Sequence, residues 1–266
     1  MNDPGLAIGC CAGPADLRAL ETTPGLDFIE LPVATALMGS PGEFAQLVAA
    51  MEGSPLAARA VNVFLPGTLK VVGQDLRPDQ LSDYAEAALE RARRLGVALL
   101  VFGSGASRIV PPGFPHERAL DQFEAAVRLV NEQASSRGMT LAVEPLHSEE
   151  TNLLNSVREA AAFVRQRRLD GVRLVADLWH MECEGEELDV LDGLGDMVAH
   201  AHVAATERRA PGQAVDRIEG FLRHLRQAGY AGACSIECRW LDLPAELPAA
   251  VARVRKAAAA AGWAAA

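Results

Sequence analysis

Eight short apolar runs, separated by longer amphipathic stretches, recur through a chain of 266 residues. They predict an α/β fold, a single-domain (β/α)8 TIM barrel over residues 1–266. Three observations carry that expectation. The runs begin 21 to 42 residues apart, room for a strand, a loop, a helix and a second loop. Eight such units fill about 250 residues, the usual size of such a barrel. No Pro/Gly/Ser-rich linker divides the chain. A doubly wound open sheet is the alternative, and it calls for a glycine fingerprint after the first strand. The first turn here reads CCAGPADL, which is not GxGxxG.

Taken in order, the strands are expected at Leu6–Cys11, Asp27–Pro32, Arg59–Leu65, Ala98–Gly103, Thr140–Leu146, Arg173–Leu178, Ala199–Ala204 and Ala233–Cys238. The helices between them carry start and stop signals. Pro78–Leu95 opens on proline and acidic residues, keeps apolar positions at helical spacing and stops at Gly96. Glu117–Arg137 stops at Gly138. Val157–Arg168 follows Ser156, an N-cap with Glu159 three residues on. Val215–Ala228 stops at Gly229, Pro248–Ala261 ends at Gly262, and Glu186–Leu194 is a shorter helix. The Ala-rich C-terminus reads as a fraying helix end.

Composition narrows the function. With 35 acidic and 25 basic residues the net charge is −10 and the pI is near 5.1. Binding to nucleic acid or an anionic membrane rests on positive charge, so neither partner is expected. Half the residues are apolar, yet no uncharged run of about 18 spans a membrane and no secretory signal opens the chain. Cys10, Cys11, Cys183, Cys234 and Cys238 are odd in number and lack CxxC spacing. Reduced thiols in a cytoplasm fit better than a disulfide framework.

Chemistry concentrates at the ends of the last four strands, where barrels of this kind place functional groups. TLAVEPL carries Glu144, RLVADLWH carries Asp177 with His180 just beyond, AHAHVA carries His202, and ACSIEC carries Glu237. Alternation lets all four point inward over small residues, Ala142 below Glu144 and Ser235 below Glu237. Three carboxylates and one imidazole make a mostly oxygen site for one divalent cation. Mn²⁺ or Mg²⁺ suits it best, and Co²⁺ or Zn²⁺ also fits. The competing reading is that these carboxylates merely pair with Arg173, Arg208 or Arg239. His200 lies one layer below His202 and reads as a hydrogen-bonded core histidine. His116 and His224 read as surface residues, and His147 is open between pocket and surface. Glu30 is expected at the same mouth. Phe64, Trp179 and Trp240 could wall a ligand or simply pack. GSGASR (Gly103–Arg108) reads as a tight turn ahead of a phosphate cradle.

From about Leu141 to Glu237 the sequence resembles the xylose-isomerase-like barrels of sugar (phosphate) isomerases and epimerases, the ketose 3-epimerase and hydroxypyruvate isomerase group. The stretch EPLHSEETNLLNSVREAAAFV is similar to the family's run between two glutamates into ETNLLNT. DLWHM resembles DTFHM, and HAHVAATERRAPGQ resembles its His-x-His segment followed by arginine and Pro-Gly. GYAGACSIE resembles its GYDG…E ending. Weaker similarity lies in VNVFLPG and VFGSGASRIVPPGF. The resemblance implies that Glu144, Asp177, His202 and Glu237 hold the metal and that Glu144 and Glu237 are the acid/base pair. It implies substrate contacts for Glu150, His180 and Arg208, and a homo-oligomer built through outer helices and loops. One departure stands out: His147, Ser148 and Glu149 replace the Asn-Arg-Phe/Tyr usual in ketose 3-epimerases.

The chemistry expected of such a site is isomerisation or epimerisation of a small sugar or polyol ketone. A divalent cation on the carbonyl oxygen stabilises the enediolate, while one carboxylate removes a proton and another returns one. The alternative is a lyase on the same barrel, a keto-inositol dehydratase or a C-glycoside-cleaving subunit. An abasic-DNA endonuclease would call for more histidines and a basic face, and a non-catalytic sugar-binding barrel would not keep the acid/base set.

Overall fold

Apolar runs bounded by polar turns pair side by side, and the result is a closed sheet. The structure, a computed structural model, describes residues 5–212 and 216–264. Its strands are β1 (Ile8–Cys11), β2 (Phe28–Pro32), β3 (Ala57–Asn62), β4 (Leu99–Phe102), β5 (Thr140–Val143), β6 (Arg173–Asp177), β7 (Val198–Val203) and β8 (Ala233–Ile236). All neighbours are parallel, and β8 returns to β1 with Cys234 opposite Ile8. This is a single (β/α)8 TIM barrel, as expected.

The helices are α1 (Leu17–Glu21), α2 (Pro41–Glu52), α3 (Pro78–Arg94), α4 (His116–Ser135), α5 (Val157–Gln166), α6 (Leu178–Cys183), α7 (Asp216–Gln227) and α8 (Leu243–Ala260). Ser156 caps α5 as expected, accepting from the Glu159 backbone N–H at 3.1 Å. The expected starts and stops of α3, α4 and α5 hold to within two residues at each end. α8 begins earlier than Pro248, because Asp242 caps it by accepting from the Ala245 N–H at 3.2 Å. Pro244 lies in the first turn, where an N–H has no helical partner, whereas Pro248 sits inside the helix and removes one hydrogen bond of its ladder. The short helix expected at Glu186–Leu194 is a 3₁₀ segment, Leu188–Gly193. Val215 and the last two alanines lie outside the described residues.

Two apolar regions follow from the strand alternation. The larger lies between the sheet and the helices, where Phe102 stacks on Phe123 at 5.7 Å between ring centroids. Phe64 belongs to it, edge-on to Tyr84 and Phe102, so it packs and does not face the mouth. The smaller region, Val101, Ala142 and Val175, fills the barrel interior. It floors the layer above, because Glu144 and Asp177 each stand two residues beyond one of these positions. Among the described residues no helix is long and apolar enough to cross a membrane, and all five cysteines are free thiols.

Candidate active site

β5 and β8 stop earlier than the apolar runs do, at Val143 and Ile236. Glu144 and Glu237 follow immediately, still fixed by the neighbouring strand. The Glu144 N–H donates to Phe102 O at 3.3 Å, and the Glu237 N–H donates to Val203 O at 3.1 Å. Asp177 ends β6 opposite His202 of β7. Ligand atoms of Glu144, Asp177, His202 and Glu237 all lie within 4.8 Å of one another. His202 Nδ1 is central, 2.9 Å from Glu144 Oε1, 3.2 Å from Glu237 Oε2 and 3.8 Å from Asp177 Oδ2.

Asp177 shows how the local sequence aims an oxygen into the cluster. Its Oδ1 caps α6, accepting from the Trp179 N–H at 2.7 Å and the His180 N–H at 3.4 Å. Its Oδ2 is buried and accepts no hydrogen bond. A buried carboxylate oxygen without a donor is costly, and a cation at the centre of the four groups would satisfy it. The donor set therefore fits a divalent ion.

Burial and mutual charge spread the acids apart. Burial, then Glu237, pushes Asp177 up to about 6. Burial raises Glu144. Burial would raise Glu237 too, but His202 and Arg208 bring it down to about 2. Burial opposes charge on His202, yet Glu30 and Glu237 hold it well above the usual imidazole range.

The glycines of the GSGASR turn answer to this site. A Cβ on Gly103 would lie 2.3 Å from Glu144 Oε2, and one on Gly105 would lie 2.8 Å from the Glu150 carbonyl oxygen. Both glycines make room for protein atoms, which accounts for the tight turn.

The rim brings together the residues expected to meet substrate. Arg208 Nη2 donates to Glu237 Oε2 at 2.6 Å and Nη1 to Glu150 Oε1 at 3.1 Å; His180 Nε2 lies 3.4 Å from Nη1. Arg208 and Glu207 both adopt positive φ, 55° and 60°. Non-glycine residues held in that region store strain, a feature that clusters at functional sites. Of the arginines weighed as mere counter-ions, Arg208 reaches the cluster, while Arg173 and Arg239 are exposed.

His147 is buried against His180, with the two Nδ1 atoms 2.8 Å apart. Burial lowers His180 to about 4, so it is a neutral imidazole. Trp179 is half-buried with its ring edge-on to His147, and Trp240 is half-buried against the core. His116 is exposed, and His224 pairs with Asp192 at 2.6 Å, away from the cluster.

Glu30 requires a correction. It is fully buried, its oxygens 3.0 Å from His202 Nε2 and 2.7 Å from His200 Nε2, and does not line the mouth. His200 is the buried, hydrogen-bonded histidine expected, 2.7 Å from Glu30 Oε2. Two residues had no place in the sequence reading. Asn62 donates to Glu237 Oε1 at 2.9 Å, and its own Oδ1 is buried without a donor. Arg108, fully buried, donates to the Glu144 carbonyl oxygen at 2.7 Å. A polar residue ending strand three and an arginine closing the glycine turn were the available signals.

A closed α/β barrel carrying a carboxylate–imidazole cluster at its C-terminal mouth defines the class. The chain belongs to the xylose isomerase-like TIM barrel family, whose profile matches residues 17–263. Among curated relatives it is 26% identical over 165 residues to 3-dehydro-D-guloside 4-epimerase of Escherichia coli K12, covering 60% of this chain and 62% of the relative. It is 30% identical over 105 residues to D-psicose 3-epimerase of Agrobacterium fabrum, covering 39% and 36%. The chain thus covers less than two thirds of the length of these relatives. Among solved structures, an L-ribulose 3-epimerase superposes with a TM-score of 0.80 at 20% identity, over 98% of this chain and 96% of that one. IolI, solved with a bound zinc atom, superposes with a TM-score of 0.75 at 17% identity, over 96% and 98%.

Proposed function

We propose that this chain is a divalent-metal-dependent isomerase or epimerase of a small sugar or polyol ketone, acting in the cytoplasm as a homo-oligomer. One observation carries the reading. Three carboxylates and an imidazole converge at the barrel mouth with a buried Asp177 oxygen that accepts no hydrogen bond. The named relatives are sugar epimerases, which agrees with it.

Glu144, Asp177, His202 and Glu237 would hold the cation. Mn²⁺ suits this oxygen-rich set best; Mg²⁺, Co²⁺ or Zn²⁺ also fits, and zinc is the ion in the IolI structure. When bound, the ion supplies Lewis-acid stabilisation for oxygen charge developing next to a carbon that loses its proton.

Glu144 and Glu237 perform the proton transfers. Their oxygens approach His202 Nδ1 from two different strands, at 2.9 and 3.2 Å, so a substrate between them meets a carboxylate on either face. One takes the proton from the carbon beside the carbonyl, and the other returns one. Return to the same carbon inverts it; return to its neighbour isomerises the sugar. Their environments differ as an acid/base pair requires, with burial raising Glu144 and cations lowering Glu237. Arg208, His180 and Glu150 hold the substrate's oxygens at the rim.

A second reading, a lyase acting on a keto-inositol or a C-glycoside, draws on His147. It packs against His180, and the resemblance puts it where ketose 3-epimerases carry asparagine. A screen of ketoses, keto-inositols and their phosphates with Mn²⁺ in D₂O tests both. Deuterium entering substrate at unchanged carbon skeleton supports the isomerase reading, loss of water or of the aglycone supports the lyase, and no exchange into any of them overturns both.

A further inference from the structure

Beneath the cluster lies a buried polar group that the proposed chemistry does not use. Glu30, His200, His202 and Ser235 are each 1% exposed or less. Glu30 Oε1 lies 3.0 Å from His202 Nε2. Glu30 Oε2 lies 2.7 Å from His200 Nε2 and accepts from Ser235 Oγ at 2.7 Å. An isolated carboxylate at this depth would be strongly disfavoured, and three donors compensate it.

A carboxylate oxygen 3.0 Å from an imidazole nitrogen accepts from it, so the nitrogen of His202 that faces Glu30 carries a proton. We propose that Glu30 is a positioning residue: it fixes His202 with its proton on Nε2 and turns the Nδ1 lone pair up toward the cation. The inference rests on the metal reading above. His200 and Ser235 keep Glu30 in place by occupying its second oxygen, so the imidazole ring can neither flip nor tilt without breaking a buried hydrogen bond. A competing occupant of the same space is a second cation on Nε2, since Cys11, Glu30 and His202 also offer ligand atoms within 4.8 Å of one another.

Outer carboxylates of this kind are typically worth about 10–100-fold in metal affinity. Mn²⁺ titrations followed by the free-ion electron paramagnetic resonance signal should give one ion per wild-type chain. Binding should weaken by about that factor in Glu30→Leu, and by less in Glu30→Gln, which keeps an acceptor for Nε2–H. Far-UV circular dichroism checks the fold. If Glu30→Leu does not fold, Glu30→Gln and Ser235→Ala replace it, each expected to weaken binding several-fold (about 3–10, at the low end of that range). In the zinc-loaded wild type, ¹⁵N imidazole spectra should show His202 protonated at Nε2 and coordinated through Nδ1. Unchanged affinity in the folded Glu30 variants, or coordination through Nε2, overturns the inference. So does a second ion that Cys11→Ser removes. A wild-type chain that binds no divalent ion takes the metal reading down first and this inference with it, and that result differs from wild-type binding with insensitive variants.

Discussion

Arg208 joins the rim to the proposed base: its Nη2 lies 2.6 Å from Glu237 Oε2 while its Nη1 lies 3.1 Å from Glu150 Oε1. One guanidinium thus spans a carboxylate of the cluster and a carboxylate of the mouth. Its carbonyl oxygen accepts from the Arg239 N–H at 2.6 Å, so the strained loop is tied to the segment that follows β8. A substrate hydroxyl entering between Arg208 and Glu150 would replace part of this pairing.

Arg208→Met should therefore act on binding more than on folding. A hydrogen bond to a charged group is worth about 1.5–3 kcal/mol, or about tenfold to a hundredfold. The expected result is a KM raised by at least about tenfold with a smaller fall in kcat, since the cation that steadies Glu237 is lost as well. An unchanged KM would remove Arg208 from the substrate site.

Metal retention distinguishes the cluster from ordinary surface histidines. The purified chain should hold about one divalent ion. His202→Ala should lose it with the fold intact, because Nδ1 is the only nitrogen among the four proposed ligands. His224→Ala should keep it, since His224 pairs with Asp192 on the outer surface. Equal metal content in the two variants would break the assignment.

The strand rhythm and the four strand-end groups were legible because alternation and spacing are local properties. Depth was not. Glu30 has the parity of a mouth residue, but its burial comes from contacts with His200, His202 and Ser235, on strands at least 170 positions away. Asn62 went unseen for a related reason, as its meaning comes from Glu237, a contact across 175 positions. α6 was missed because Asp177 serves as strand end and helix cap at once. The α2 signal was present in Ser40-Pro-Gly-Glu43, a capping box that the structure shows closed from both sides.

The two tyrosines offer a check on the core that is independent of the site. Tyr84 donates to Phe64 O at 2.8 Å and Tyr230 donates to Ala233 O at 2.5 Å. Burial pushes Tyr84 up to about 12 and Tyr230 well above its ordinary value. Unfolded tyrosine ionises near pH ~10. Between these values the folded chain keeps protons that the unfolded chain releases, so stability present below pH ~10 is lost as pH rises toward ~12. With 2 tyrosines in the chain, ultraviolet titration should show little tyrosinate in the native protein at about pH 11 and nearly full ionisation in denaturant. Native ionisation near pH ~10 would contradict the burial of both.

Assembly is expected to involve the rim. Val63, Ile109 and Leu241 are exposed large apolar residues, on the segments following β3, β4 and β8. Light scattering should report a dimer or tetramer, and Leu241→Glu should weaken it. A particle of 28.2 kDa across a wide concentration range would refute the homo-oligomer.

The sharpest test concerns Glu144 and Glu237. They follow strands separated by β6 and β7, and both turn an oxygen toward His202 Nδ1. Each carboxylate has two oxygens, so one can serve the cation while the other meets the carbon-bound proton. Gly103 leaves room for the second oxygen of Glu144, and Asn62 and Arg208 hold the two oxygens of Glu237. Glu144→Gln and Glu237→Gln keep these shapes and remove the base. A positioned general base is worth about 10²–10⁴-fold, so each variant should lose at least about a hundredfold in turnover. Deuterium exchange into substrate should be followed in D₂O with metal in excess, so that weaker metal binding does not imitate lost chemistry. Exchange should stop or slow by that factor in both. If substrate carbon exchanges at the wild-type rate in both variants, neither glutamate moves the proton and the proposed mechanism fails.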